Sequence, residues 1–291
     1  MNVQDFPRPG DDRGALALVV AAASLLAERR RDIPRDFVAA LYGYAAPEDL
    51  ARYSAEELAA IAEQSWALLA TRQAGTPNIR FEPSPLRPSL AVLEIVNDDM
   101  PFLVDSVLGE LNERGLDIRL LVHPVFTVER DAAGKLLAFK GTRKAEGGRE
   151  SFIHIHIEGV AEPAQRAEIV TAVAEILADV RVCVEDWRPM LARAGEIIAE
   201  LRANPPPLAA DEIAEAVQFL EWIAGDNFTL LGARDYRFAR GAAEPLAPMF
   251  ETGLGLLRSR EMRLLRRGPD LVVFTPEIIE FLQEPKLLIV A

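Results

Sequence analysis

From Leu90 to Val184 the apolar residues of this chain switch repeatedly between two spacings, and few folds accommodate both in that order. Leu90 to Val96 is a continuous apolar run, the pattern of a strand buried on both faces. Val104, Val107, Leu108 and Leu111 then recur at helical spacing, and Gly115 offers a left-handed stop. Ile118 to Glu129 returns to strand character, with Pro124 marking an edge or a bulge. Asp131 to Gly134 is a turn before a short strand, Leu136 to Phe139. In Phe152 to Ile157 the isoleucines alternate with His154 and His156, which places the two histidines on the opposite face. Pro163 opens a helix with a stripe of Ile169, Val170, Val173, Ile176 and Leu177, and Val180, Val182 and Val184 alternate as a last strand. The order β-α-β-β-α-β, with two helical stripes against one sheet, predicts an α+β, ferredoxin-like domain. Helices cover one face of such a sheet, and the other favours pairing of domains.

The flanks read differently. Arg13 to Arg72 is helical, and Ser54 with Glu57 forms a capping box at the start of one helix. Four prolines, Pro77, Pro83, Pro85 and Pro88, interrupt regular structure before the first strand. Beyond the domain, Arg188 to Ala203 is helical, Asn204 to Pro207 breaks it, and Asp211 to Ala224 is a further helix. Phe228 to Phe238 and Leu271 to Phe274 read as strands, with a short helix from Pro276 to Gln283. The expected organisation is a helical segment over 1–74, a linker over 75–89 and the ferredoxin-like domain over 90–186. A helix and Pro-rich linker over 187–207 and a second α+β segment over 208–291 complete it. The apolar run Leu287 to Val290 has no turn or cap, so the chain reads as part of a longer protein.

Composition narrows the partners. Lys and Arg number 32 against 45 Asp and Glu, a net charge of −13. Such a chain lacks the positive field that nucleic acid requires. No run approaches the roughly 20 apolar residues of a membrane span. The apolar stretch Ala15 to Leu26 follows an acidic start, which suits a buried helix rather than an export signal. A single cysteine, Cys183, excludes an intrachain disulfide and fits a cytoplasmic protein.

The turn Asn97-Asp98-Asp99-Met100-Pro101-Phe102 is the candidate site. Asp99 is placed to cap the following helix, with Pro101 in its first turn. Helix N-terminal amides hold a carboxylate and a nearby aspartate holds an ammonium group, and together those demands describe a free amino acid. The competing reading is a plain cap and turn. His154 and His156 have zinc-ligand spacing but no further ligands nearby, so they read as exposed or interface histidines. Gly253-Leu-Gly255 fails as a dinucleotide fingerprint because Arg258 stands where the third glycine belongs. Cys183 reads as a structural thiol. The basic run Arg258, Arg260, Arg263, Arg266 and Arg267 reads as a solvated face or a dock for acidic surface. No residues combine as a nucleophile with its base or as a metal site, so no catalytic or metal residue is expected.

Three segments, Val96 to Ser106, Val122 to Phe126 and Ala224 to Gly232, resemble in order and spacing landmarks of the large bacterial NAD-specific glutamate dehydrogenases. The resemblance covers nearly the whole chain. It implies an ACT-type domain, which is ferredoxin-like, in the N-terminal region of a much longer subunit, and places Leu287 to Val290 at the start of a further ACT-like unit. It implies a parent enzyme that oxidises glutamate to 2-oxoglutarate and ammonia with NAD. The nicotinamide site would lie outside these residues, leaving no cofactor here. Partners would be the rest of the polypeptide, further subunits of a homo-oligomer and a free amino acid effector. Carried onto this chain, the ACT ligand turn is Asn97, Asp98, Asp99, Met100, Pro101 and Phe102. Where many such turns have glycine, Pro101 and Phe102 stand instead, which adds weight to an assembly role without ligand.

Overall fold

In the computed structural model, residues 11–143, 145–238 and 246–260 are described. They form two compact units, one of residues 11–100 and 111–174, the other of residues 101–110 and 175–260.

The first unit opens with helices α1 (Asp11–Arg29), α2 (Phe37–Tyr42), α3 (Pro47–Leu50) and α4 (Ala55–Leu69). The expected capping box starts α4: the Glu57 N–H donates to Ser54 Oγ, and the Ser54 N–H donates to the Glu57 carboxylate. Strands β1 (Asn78–Pro83) and β2 (Leu90–Asp98) follow; helix α5 (Leu103–Glu113) comes next in the chain and belongs to the second unit as far as Glu110. Next come β3 (Asp117–Val122), β4 (Val125–Arg130), β5 (Leu136–Phe139) and β6 (Gly148–Glu158). The six strands make one antiparallel sheet in the order β1-β2-β6-β4-β5, and β3 also pairs with β6. The long strand β6 is the spine, with β2 along one edge and β3 and β4 sharing the other.

Two local expectations change here. The proline-bearing stretch over 75–89 contains β1, which pairs residue for residue with β2 from Asn78↔Val96 to Pro83↔Ala91. An edge strand tolerates proline because its outer N–H groups need no partner. The strand expected over Ile118 to Glu129 is two strands. Pro124 has no N–H to donate, and its carbonyl accepts from Phe152 instead.

Helices α1 to α4 pack on the sheet face that carries the histidines. Phe37 of α2 is the hub: its ring meets Trp66 at 5.0 Å, Phe139 at 5.5 Å and Phe126 at 6.0 Å between centroids. Leu41, Tyr42, Leu58 and Leu69 are fully buried beside it. On the opposite face Leu93, Ile95, Ile153, Ile155 and Ile157 are fully buried as well. That accounts for the uninterrupted apolar run of β2.

Helix α6 (Pro163–Ala203) runs through the position expected for the last strand. Val180, Val182 and Val184 therefore lie on a helix, and the β-α-β-β-α-β order is not formed. The edge of β2 away from β6 is taken by β1, which comes earlier in the chain. The second unit continues with α7 (Ala210–Trp222) and the short strands β7 (Gly232–Ala233), β8 (Tyr236–Phe238), β9 (Leu246–Pro248) and β10 (Leu254–Gly255). These replace the single long strand expected over Phe228 to Phe238. The elements expected at Leu271 to Phe274, Pro276 to Gln283 and Leu287 to Val290 lie outside the described residues, as do Arg263, Arg266 and Arg267. Among the described residues no helix is long and apolar enough to cross a membrane.

Replacing the hub ring should loosen the helices from the sheet. Phe37→Ala is expected to cost about 3–5 kcal/mol, the range for truncating a buried phenylalanine. Urea unfolding followed by circular dichroism measures it, and a loss below 1 kcal/mol would show that the aromatic cluster does not hold this layer.

Candidate functional site

The turn singled out in the sequence leaves the end of β2. Asn97 is buried at the end of β2, opposite Ser151 of β6. The Asp98 carboxylate accepts from Arg72 at 2.7 Å and from the Gly75 N–H at 3.0 Å. Arg72 is itself buried and shares Glu150 with Arg130, so three strand ends and the segment after α4 are laced together. The Asp99 N–H donates to the Arg149 carbonyl, and its carboxylate meets the Arg149 guanidinium at 3.4 Å. Both aspartates thus face arginines of their own unit. Asp99 does not cap α5: the helix begins only at Leu103, because Phe102 has a left-handed φ of +69° that no helical residue adopts. A left-handed backbone at an aromatic residue costs roughly 1–3 kcal/mol and clusters at functional turns.

At Pro101 the chain passes into the second unit, where Pro101 and Phe102 line a half-open apolar pocket of about 320 Å³. Val180, Cys183, Val184 and Trp187 form another wall. Their spacing is that of one face of α6, so a sequence pattern that reads as a strand builds the side of a pocket. Thr229, Leu230 and Leu231 complete the lining, Ser106 contributes a buried hydroxyl, and Glu185 and Arg188 stand exposed at the rim. The Cys183 thiol lies 3.2 Å from the Leu231 carbonyl, and burial pushes its pKa up to about 11, so it stays protonated near neutral pH. Asp186 accepts from the Gly255 N–H and from Arg258. Burial would raise that carboxyl, and these hydrogen bonds outweigh it and hold the group below the usual carboxylate range. Arg258 of the basic run is therefore paired. Gly255 has a left-handed φ and packs so closely that a Cβ would meet the Leu231 carbonyl at 2.2 Å, a backbone role unrelated to phosphate.

His154 and His156 are neither exposed nor at an interface. Both are fully buried in the first unit, because α2, α4 and the loop after α3 cover their face of the sheet. His154 Nδ1 donates to Glu94 at 3.0 Å, and its Nε2 lies 2.7 Å from His156 Nε2. Tyr42 stands edge-on to His154 and Tyr53 edge-on to His156. Glu94 also accepts from Ser65 of α4 and Arg80 of β1. Burial alone would raise the Glu94 carboxyl, and His154, Arg80 and Ser65 outweigh it and keep it ionised. The sequence reading missed Glu94, although a single acid inside the run Leu90 to Val96 signals a buried polar partner. Among the described residues no group of three metal-ligating side chains is placed to hold an ion.

A helix-covered antiparallel sheet matches an ACT-type domain: residues 37–173 match the family described as Glutamate dehydrogenase, ACT1 domain. The chain is 32% identical over 242 residues to the NAD-specific glutamate dehydrogenase of Halomonas elongata, covering 80% of this chain. It is 31% identical over 251 residues to that of Pseudomonas aeruginosa, covering 83% of this chain. The Mycobacterium tuberculosis enzyme of the same name is 28% identical over 173 residues, 58% of this chain. The chain belongs to the NAD-specific glutamate dehydrogenase family. It spans about 15% of the length of the first two relatives and 10% of the third.

The buried histidine pair makes a pH prediction. Burial, then the neighbouring His154 and Arg87, hold His156 neutral far below its ordinary pKa. Its Nδ1 meets no partner among the described residues. The unfolded chain takes up this proton near pH ~6.5 and the folded chain does so only well below that. Stability is therefore full above pH ~6.5 and falls as the pH drops beneath it. Urea midpoints at pH 8 and pH 5.5 should differ for the native chain and differ less for His156→Gln. Equal midpoints in the native chain would refute the assignment.

Proposed function

We propose that this chain is a regulatory region of an NAD-dependent glutamate dehydrogenase, which converts L-glutamate, water and NAD to 2-oxoglutarate, ammonia and NADH. In this reading the chain performs no chemistry. Hydride transfer and NAD binding belong to other parts of a longer cytoplasmic polypeptide that works as a homo-oligomer. The chain senses a free amino acid at the turn Asn97, Asp98, Asp99, Met100, Pro101 and Phe102. The observation that carries the reading is Phe102: a strained aromatic residue at a strand-to-helix turn lines a half-open apolar pocket. Asp98 and Asp99, held by Arg72 and Arg149, anchor the turn and leave Pro101 and Phe102 to meet the ligand. A ligand with different affinity for two states of the enzyme shifts the balance between them, which is all that allosteric control requires.

A second reading is assembly without ligand. It is favoured by α7, whose Phe219 and Trp222 stack at 6.1 Å and are about half exposed or more. Exposed aromatic pairs are frequent anchors of protein interfaces.

The test uses the full-length enzyme. Steady-state glutamate oxidation is measured with a panel of amino acids, and the mass is followed by light scattering. Phe102→Gly relieves the left-handed strain, by roughly 1 kcal/mol, while removing a wall of the cavity. The variant should fold at least as stably and respond several-fold more weakly to the effector. An enzyme that ignores every amino acid but loses its oligomer on Trp222→Ala would establish the assembly reading instead.

A further inference from the structure

We propose that α7 of one copy of this chain docks in the outer groove of α1 and α2 of a second copy, running antiparallel to α1. The proposal rests on the assembly reading above, names the surface that receives the aromatic pair of α7, and requires no ligand.

The groove belongs to the first unit. Helix α1 buries Val19, Ala22 and Leu26 against that unit, and carries a second apolar stripe of Leu16, Val20 and the half-buried Ala23. Leu16 is 65% exposed and Val20 56%. With Ile33 and Ala39 this stripe lines a groove of about 880 Å³. A helix that is apolar on an outward face as well as on its core face marks an interaction surface, and a groove beside it suits a further helix. The far end of the groove is cationic. Arg30 is committed to Asp32 and Glu63, whereas Arg31 and Arg35 make no ion pair among the described residues and outweigh Glu28 beside them.

Helix α7 offers the complement. Glu212, Glu215, Phe219 and Trp222 follow one another at helical spacing, share one face and are all exposed. Glu221 is paired with Arg202, whereas Glu212 and Glu215 make no ion pair among the described residues. The acids stand toward the start of α7 and the stacked rings toward its end. The groove is apolar toward the start of α1 and cationic beyond its end. Rings on the apolar stripe and carboxylates on Arg31 and Arg35 are reached together only when the two helices run antiparallel. Length permits it: at 1.5 Å per residue α7 is roughly 20 Å long and α1 roughly 29 Å. Both halves of the match occur in this one chain, so the partner that fits is a second copy.

Two differently tagged copies of the 291-residue chain test the contact, one carrying Val20→Cys and the other Phe219→Cys, joined by a short bis-maleimide. The native Cys183 is buried and gives the background. The mixture should cross-link between copies several-fold more than either variant alone. Self-association, followed by sedimentation equilibrium, should weaken at least tenfold on Trp222→Ala. Arg31→Glu with Arg35→Glu should weaken it several-fold, and mixing that copy with one carrying Glu212→Arg and Glu215→Arg should restore it. These four charged positions are exposed, so the exchange remains informative if Trp222→Ala fails to fold. A chain that does not self-associate, one that carries both cysteines and cross-links only within itself, or association indifferent to every charge reversal overturns the proposal. Loss of the full-length oligomer on Trp222→Ala without any effect of the Arg31 and Arg35 reversals overturns the groove and keeps the assembly reading. Cross-linking and charge rescue in the chain, with the full-length oligomer unchanged in every variant, supports the contact and removes that reading.

Discussion

The first unit depends on one buried carboxylate. Glu94 lies in the middle of β2 with no exposure, and through it four elements meet: Ser65 of α4, Arg80 of β1, His154 of β6 and β2 itself. An ionised group without water is costly unless every lone pair is engaged, and here both oxygens are. The charge therefore specifies an arrangement as well as stabilising one. The helices must sit where Ser65 reaches the sheet, and β1 must lie at the edge where Arg80 reaches Glu94. The histidines extend the same logic: His154 is held by Glu94, and His156 is kept neutral chiefly because its burial removes the water a charged ring would need.

A second set of ion pairs does comparable work at the other end of the same strands. Arg72 and Arg130 converge on Glu150, and Arg72 also takes Asp98. Asp98 is thereby fixed at the last position of β2, just before the chain leaves the unit. Rigidity up to Asp99, followed by the left-handed backbone of Phe102, is the pattern expected where a turn is held against its own preference. An apolar cavity lies directly against this strained residue, and the regulatory reading grows from that coincidence.

The family adds scale. The chain spans about 15% of the Halomonas and Pseudomonas relatives, and residues 37–173 carry the domain described as ACT1 of glutamate dehydrogenase. The described residues form a half-open apolar pocket in one unit and a sheet cross-braced by ion pairs in the other.

Much of this was written locally. The capping box of α4, the apolar strand β2, the turn at Asp131 to Gly134 and the alternation of β6 all follow from residues within a few positions of each other. Local chemistry suffices for them because caps, turns and strand faces are satisfied by near neighbours. Other features were settled at a distance. Val180, Val182 and Val184 fit a strand or a helix equally well, and continuation of α6 decided between them. The prolines around β1 argued for a linker until β2 offered an edge that needs no outer N–H groups. The face of His154 and His156 was legible, but their burial was not, because α2 and α4 lie more than 80 residues upstream. By itself the sequence determined the helix caps, the turns, the faces of β2 and β6, and the family resemblance. Only the tertiary structure decided which charges are buried together and which walls line a pocket, because those depend on contacts between segments that no local pattern records.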